Sequence, residues 1–384
     1  MGLPSPSSPI KVASSVRLPK LETSNSSRMQ APCANPKLWC EAQDFALLVC
    51  SFAGGPSMAW NLAATCKSFH EAVCKAWGDL TRRFPCRLYV VGGLNNAFKE
   101  VDTAWRLNPA DGEWEALPPV ATPRAGAAIA AAGGKLYVLG GESSGHALRD
   151  VQRFDPLMGR WEELPPMLTG RIRAAAVFCG GYLYLLGGLD GSRPLSTAER
   201  YDPNTNTWEE LPSMHCPRYA CAAAAQPRGC VMAFGGELTD AGLNASMERY
   251  NPETSTWELL PTVRSPSCGS VMALTAAGRT AFTVGGLGLS GQALPVAEQL
   301  PVGAALAAGQ VQLPNWGPVP PMQTPRHLAS AAGFGSGVVV VGGKGPTFEA
   351  VSNVEVFDPD ANAWESLPSL PSPRLRSAVV SGRL

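Results

Sequence analysis

Arginine recurs in this 384-residue chain at a spacing suited to anion recognition. Arg124, Arg171, Arg218, Arg326 and Arg374 each close a loop that opens on Leu-Pro or Val-Pro and in most cases reads Leu-Pro-x-x-x-x-Pro-Arg; Ser267 stands in the arginine's place in a further loop. A guanidinium is a planar fork of donors that meets carboxylate or phosphate bidentately, so an acidic or phosphorylated peptide is the natural ligand of such a set. Each repeated arginine suits equally well a hydrogen bond to a carbonyl or acid of its own unit. Arg173, Tyr219, His327 and Arg376, beside them, are less repetitive and are the better candidates for selecting among ligands.

Other chemistries find less support. The four histidines are His70, His146, His215 and His327, and no two are spaced as metal ligands on one element. No nucleophile elbow, phosphate loop or dinucleotide fingerprint occurs. With 31 basic and 31 acidic residues the net charge is zero, which argues against a phosphate-neutralising nucleic-acid binder. No run reaches the roughly 18 to 20 apolar residues of a membrane-spanning helix, and the alanine-rich stretches read as strands. Eleven cysteines without a C-x-x-C pair form no disulfide framework, which points to reduced thiols inside a cell. Cys179, Cys221 and Cys230 sit in apolar strand context as structural thiols.

The elements that must position the loop residues are announced by six Gly-Gly pairs, at Gly92, Gly140, Gly187, Gly235, Gly285 and Gly342 and their following glycines. A period near fifty marks a repeat architecture in which each unit buries its apolar face against its neighbours. A short apolar run precedes each pair, such as RLYVV, KLYVL and YLYLL, and reads as a strand buried on both faces. Each pair is followed by a polar loop. Next come an acid-and-aromatic strand, seen as Glu199-Arg200-Tyr201, Glu248-Arg249-Tyr250 and Glu355-Val356-Phe357, and an Asp-Pro or Asn-Pro turn. A tryptophan closes the unit at Trp114, Trp161, Trp208, Trp257 and Trp364, acting as a packing wedge between units. In the fifth unit the acid strand shrinks to Val296-Ala297-Glu298, the Asp-Pro turn is lost, and the candidate Trp316 is delayed by about ten residues.

Four short strands per unit with Gly-Gly, aromatic-Asp-Pro and Trp resemble the kelch repeat, from about Arg87 to Leu384. The segment PRLRSAVVSGRL at the end matches the one that elsewhere precedes the strand before Gly-Gly, and the first unit lacks that segment. The expectation is therefore an all-β, six-bladed propeller over 85–384 whose C-terminal strand completes the first blade and removes the open sheet edges. In kelch domains the face bearing these loops receives peptide partners, which the resemblance extends to Arg124, Arg171, Arg173, Arg218, Tyr219, Arg326, His327, Arg374 and Arg376.

Residues 1–35 read as a Ser- and Pro-rich disordered tail, basic and acid-poor, a composition shared with organelle transit peptides. From 36 to 84 the apolar period becomes helical: Phe45, Leu48, Val49 and Phe52 share one face, and Phe69, Val73 and Trp77 another. Three short helices with LAATCKSFHEAV from Leu62 resemble an F-box, although the usual leucine-proline opening is replaced by Glu41-Ala42-Gln43-Asp44. The resemblance implies a Skp1-type adaptor and a cullin ubiquitin ligase as partners, with Phe45, Leu48, Leu62 and Phe69 as adaptor contacts or local core. It makes the chain a cytoplasmic or nuclear substrate receptor without a catalytic site or cofactor. The alternatives are a kelch scaffold for cytoskeletal or signalling proteins and, more remotely, a metal-dependent kelch enzyme.

Overall fold

A computed structural model describes residues 86–108, 112–237, 246–260, 271–275, 279–288, 290–302 and 315–382. The tail and the F-box-like segment, with Phe45, Leu48, Leu62 and Phe69, lie outside the described residues. Within them the chain forms six four-stranded antiparallel sheets arranged as blades around a central channel. From the innermost strand outward, blade one is Ala378–Gly382, Arg87–Val91, Ala104–Asn108 and Glu113–Leu117. Blade two is Ala128–Ala132, Lys135–Leu139, Val151–Asp155 and Arg160–Leu164; blade three is Ala175–Cys179, Tyr182–Leu186, Ala198–Asp202 and Thr207–Leu211. Blade four is Ala222–Ala225, Val231–Phe234, Met247–Asn251 and Thr256–Leu260. Blade five is Val271–Leu274, Thr280–Val284, Ala297–Pro301 and Gly317–Val319, and blade six is Ser330–Phe334, Gly337–Val341, Val354–Asp358 and Ala363–Leu367.

Position in the blade explains the composition of each strand. The innermost strands converge on the channel, where side chains crowd, and alanine is the commonest residue in them. The second strands are covered on both faces and are continuously apolar, as in Tyr182–Leu186. The outermost strands carry acids that pair with arginines directly across the ladder, Arg200 with Glu209 and Arg249 with Glu258, which keeps the exposed edges charged. The buried apolar residues fall into clusters that each span two neighbouring blades, including one joining blade six to blade one.

The expected closure is present. Ala378–Gly382 pairs antiparallel with Arg87–Val91, from Ala378 opposite Val91 to Gly382 opposite Arg87. The tryptophans tie blade to blade around the same circuit. Trp161, Trp208, Trp257 and Trp364 donate their indole N–H to the carbonyls of Pro118, Pro165, Pro212 and Pro320 at 2.7–2.9 Å, each on a neighbouring blade's Leu-Pro or Val-Pro loop. Trp114 closes the ring onto Pro368 at 2.9 Å. Blade five is complete despite its sequence. Trp316 precedes its short outer strand and packs on Phe234 of blade four at 5.7 Å, with its indole nitrogen lacking an acceptor.

Candidate functional site

The repeated arginines and the Gly-Gly pairs prove to be two halves of one device. Arg124, Arg171, Arg218, Arg326 and Arg374 are all buried. Each donates from Nη1 to the carbonyl of a first glycine: Gly140, Gly187, Gly235, Gly342 and Gly92 respectively, at 2.7–3.3 Å. The arginine carbonyl in turn accepts the N–H of a second glycine in the preceding blade, as from Gly188 to Arg218 at 2.8 Å. Such an approach requires glycine: at Gly187, whose φ is +60°, an added Cβ would stand 2.2 Å from the Arg218 carbonyl oxygen.

In four blades an acid in or just before the third strand completes the arrangement. Arg171 pairs with Glu199 at 2.7 Å and Arg218 with Glu248 at 2.5 Å, while Arg326 pairs with Glu355 and Arg124 with Asp150. Arg374 lacks such an acid because Trp105 occupies that place in blade one, and Ser372 receives its Nη2 instead. The expectation that Arg124, Arg171, Arg218, Arg326 and Arg374 present their forks to a partner is therefore corrected. Their forks are engaged by the protein's own carbonyls and acids, and burial leaves them no face for a ligand. Burial pushes the Glu248 carboxyl up, but hydrogen bonds from His215 and the Arg218 charge outweigh it and hold it below the usual range. In blade five, Ser267 replaces the arginine, and Glu298 has a buried oxygen without a partner and a carboxyl raised by burial.

Two residues beyond each arginine the backbone turns left-handed, at Gly126, Arg173, Ala220, Leu328 and Arg376, with φ between 50° and 60°. These residues hand hydrogen bonds from blade to blade around the channel mouth. Gly126 donates to Arg376 at 2.8 Å, Arg173 to Gly126 at 2.7 Å, Ala220 to Arg173 at 2.8 Å and Arg376 to Leu328 at 3.2 Å. Arg173 and Arg376 thus bring long cationic side chains to a backbone conformation that favours glycine, and both line the channel, whose volume is about 270 Å³.

Their electrostatic situations differ. The Arg173 guanidinium lies over the Tyr219 ring at 5.1 Å and reaches Glu237 at 3.5 Å. Arg376 Nε is buried without a partner. Burial pushes the Arg376 guanidinium down and the Arg173 charge pushes it further, opposed by Glu142 and Glu237. Tyr219 pairs through its backbone with Glu237, the residue after a Gly-Gly pair, as Ala125 does with Glu142 and His327 with Lys344. Arg173, Tyr219 and Arg376 therefore meet at the mouth together with two glutamates that sequence reasoning did not select.

His327 is placed differently from the expectation. It is only 7% exposed, and its ring meets Phe348 edge-on at 6.5 Å, so it supports the surface instead of presenting itself there. His146 lies against the Ser144 carbonyl at 2.9 Å and His215 against Glu248 at 2.9 Å. Among the described residues no group of three or more His, Cys, Asp and Glu is placed to hold a metal ion. No helix among them is long and apolar enough to cross a membrane. Burial raises the thiols of Cys179 and Cys221, which disfavours the reactive thiolate at both.

Comparison with known proteins agrees with this geometry. Residues 75–286 match the KLHDC2/KLHL20/DRC7 kelch-repeats domain, and residues 325–371 match the kelch motif. The Homo sapiens kelch repeat and BTB domain-containing protein 13 is 36% identical over 69 residues, which are 18% of this chain and 15% of that protein. The solved structure of YjhT superposes with a TM-score of 0.54 at 15% identity, covering 72% of this chain and 96% of that one, a likeness of fold. Six blades, five of their junctions locked by Gly-Gly and arginine, with one family model covering more than half of the residues, make this chain a member of the kelch-repeat family.

Proposed function

We propose that this chain is a protein-recognition subunit whose channel mouth takes an acidic or phosphorylated segment of a target protein. The observation that carries the reading is Arg376: a desolvated cation in a left-handed backbone, its Nε without an acceptor, beside a second cation at Arg173. A buried unsatisfied donor costs about 1–3 kcal/mol, and such strain concentrates at functional sites. An incoming carboxylate or phosphate supplies the missing acceptor, and Tyr219 offers it an aromatic neighbour. Glu142 and Glu237 balance the two arginines, so long-range steering contributes little and recognition depends on seating the acid at short range.

Arg376→Gly gives a test in which stability and binding part company. It removes both the desolvated charge and the left-handed side chain, against a loss of about 0.4–1 kcal/mol from the greater freedom of the unfolded chain. The expected result is a thermal midpoint at or above that of the wild type, with binding of acidic peptides lost. A clearly lower midpoint would assign Arg376 to the fold.

The reading extends to the N-terminal segment, whose F-box resemblance makes the chain the substrate receptor of a Skp1-cullin ubiquitin ligase. Phe45, Leu48, Leu62 and Phe69 are the proposed adaptor contacts, an apolar helix face entering a partner's groove. Co-purification of the intact chain with a Skp1-type adaptor tests this against a Leu48→Asp, Leu62→Asp variant whose propeller is checked by circular dichroism. Stoichiometric binding lost in the variant is expected. A folded wild type that ignores the adaptor would leave a kelch scaffold without a ligase role.

A further inference from the structure

A second element of recognition lies where blades six and one meet. In the loops after Gly-Gly of blades one, five and six, the fifth residue turns left-handed and donates its N–H three residues back. Blade five uses glycine there: Gly291, at φ +78°, donates to Gly288 at 2.9 Å. Blades one and six make the same turn with phenylalanine, Phe98 donating to Asn95 at 2.9 Å and Phe348 to Gly345 at 3.0 Å, with φ of +54° and +64°. A left-handed backbone costs a bulky residue about 1–2 kcal/mol, and these two rings do not repay it by burial, being 57% and 58% exposed.

The two loops are joined, because Asn96 Oδ1 accepts the Ala350 N–H at 3.1 Å. A cleft of about 310 Å³ lies between them, lined by Asn95, Asn96, Phe98, Phe348, Glu349 and Ala350 with Leu375. Lys344 Nζ stands 5.1 Å from the Phe98 ring centroid and 5.2 Å from that of Phe348. It takes part in none of the ion pairs among the described residues. His327 packs beneath Phe348, and burial and the Lys344 charge hold its imidazole down, so it is neutral near neutral pH and adds no second cation.

We propose that this cleft docks a bulky apolar side chain of the partner protein between Phe98 and Phe348, with a carboxylate one or two residues away seated on Lys344. The proposal rests on the protein-recognition reading and adds an apolar anchor to it. Charge complementarity selects the occupant: Lys344 makes no ion pair among the described residues and stands against both rings, so the carboxylate seats on Lys344, while Glu349 on the lining disfavours an acid elsewhere in the cleft. The chain's own residues 1–28 are mismatched, carrying Lys11, Arg17, Lys20 and Arg28 against Glu22.

N-acetyltryptophan, which combines a large ring with a carboxylate, is the probe, titrated by NMR into the full-length chain beside its uncharged amide. Binding is expected to weaken about tenfold or more in a Phe98→Gly, Phe348→Gly variant, while the thermal midpoint holds because glycine suits both turns. Lys344→Met is expected to remove the preference for the acid over the amide. Absence of wild-type binding, or equal binding by the double glycine variant, would overturn the proposal. A concentration-dependent dimer dissolved by that variant would reassign the cleft to a second copy. An intramolecular cross-link from Lys99 to Lys11 or Lys20 would reassign it to the tail. An Arg173→Ala, Arg376→Ala variant separates the two sites: failure there with an intact Phe98 effect strikes the mouth and spares the cleft.

Discussion

Removing residues 373–384 is expected to leave no folded propeller, the largest effect foreseen for any change in this chain. The segment supplies the innermost strand of blade one, Ala378–Gly382, and with it the whole ladder to Arg87–Val91. It also carries Arg374, which bonds the Gly92 carbonyl and accepts from Gly343, and Arg376, a link in the hydrogen-bonded circuit of the mouth. Val379 fills the apolar cluster shared by blades six and one. Without the segment the two end blades lose the strand that joins them, and Arg87–Val91 becomes an open edge that templates aggregation. Circular dichroism and thermal melting of the truncated chain check this. A cooperative melt near the wild-type midpoint would show that the ring does not depend on closure.

Arg218→Met is expected to destabilise the protein by about 3–5 kcal/mol, the usual result of leaving one member of a buried ion pair uncompensated. Both Arg218 and Glu248 are inaccessible to solvent, and the guanidinium also holds the Gly235 and Ser246 carbonyls. The loss is expected to depend on pH with a definite sign. In the wild type the Glu248 carboxyl is depressed, so its contribution is present above the ordinary carboxylate pKa and disappears as pH falls through the lowered value. Without Arg218 the same carboxyl keeps its burial and its hydrogen bonds from His215 and Cys216 but loses its cation, so its pKa lies higher than in the wild type. A carboxyl less depressed than in the wild type contributes less stability above its pKa and the same amount in acid. Denaturant midpoints of wild type and variant should therefore converge in acid and diverge toward neutral pH. A Glu248→Leu second change should recover part of the loss, because two matched apolar groups leave no orphan charge. A difference independent of pH would show that Arg218 acts through packing alone.

The ring itself was legible because its determinants are periodic. Gly-Gly, the tryptophans and the unmatched terminal segment each recur or fail to recur in a way that blade geometry requires, and the strand pairing follows them. The roles of the arginines were not legible, for the same reason: a residue repeated in every unit satisfies the unit or a ligand equally well on paper. What separates Arg171 from Arg173 is a left-handed turn two residues on, visible only at Gly126, where the residue type betrays it. His327 looked like a loop residue because nothing in its neighbours reveals that Phe348 covers it. Phe98 and Phe348 were missed although a signal existed. Aligned on their Gly-Gly pairs, both stand where the fifth unit has Gly291, and an aromatic in the place of a turn glycine marks a surface kept for something other than folding.

The most direct test of the loop face as an acid-recognising surface is selection of a random peptide library, with and without phosphorylation, on the immobilised full-length chain and in parallel on its Arg173→Ala, Arg376→Ala variant. Peptides bearing Asp, Glu or phosphorylated residues should be enriched on the wild type and absent from the variant's selection. Enrichment without any acidic preference, or equal capture of the same peptides by the variant, would contradict the assignment of the mouth.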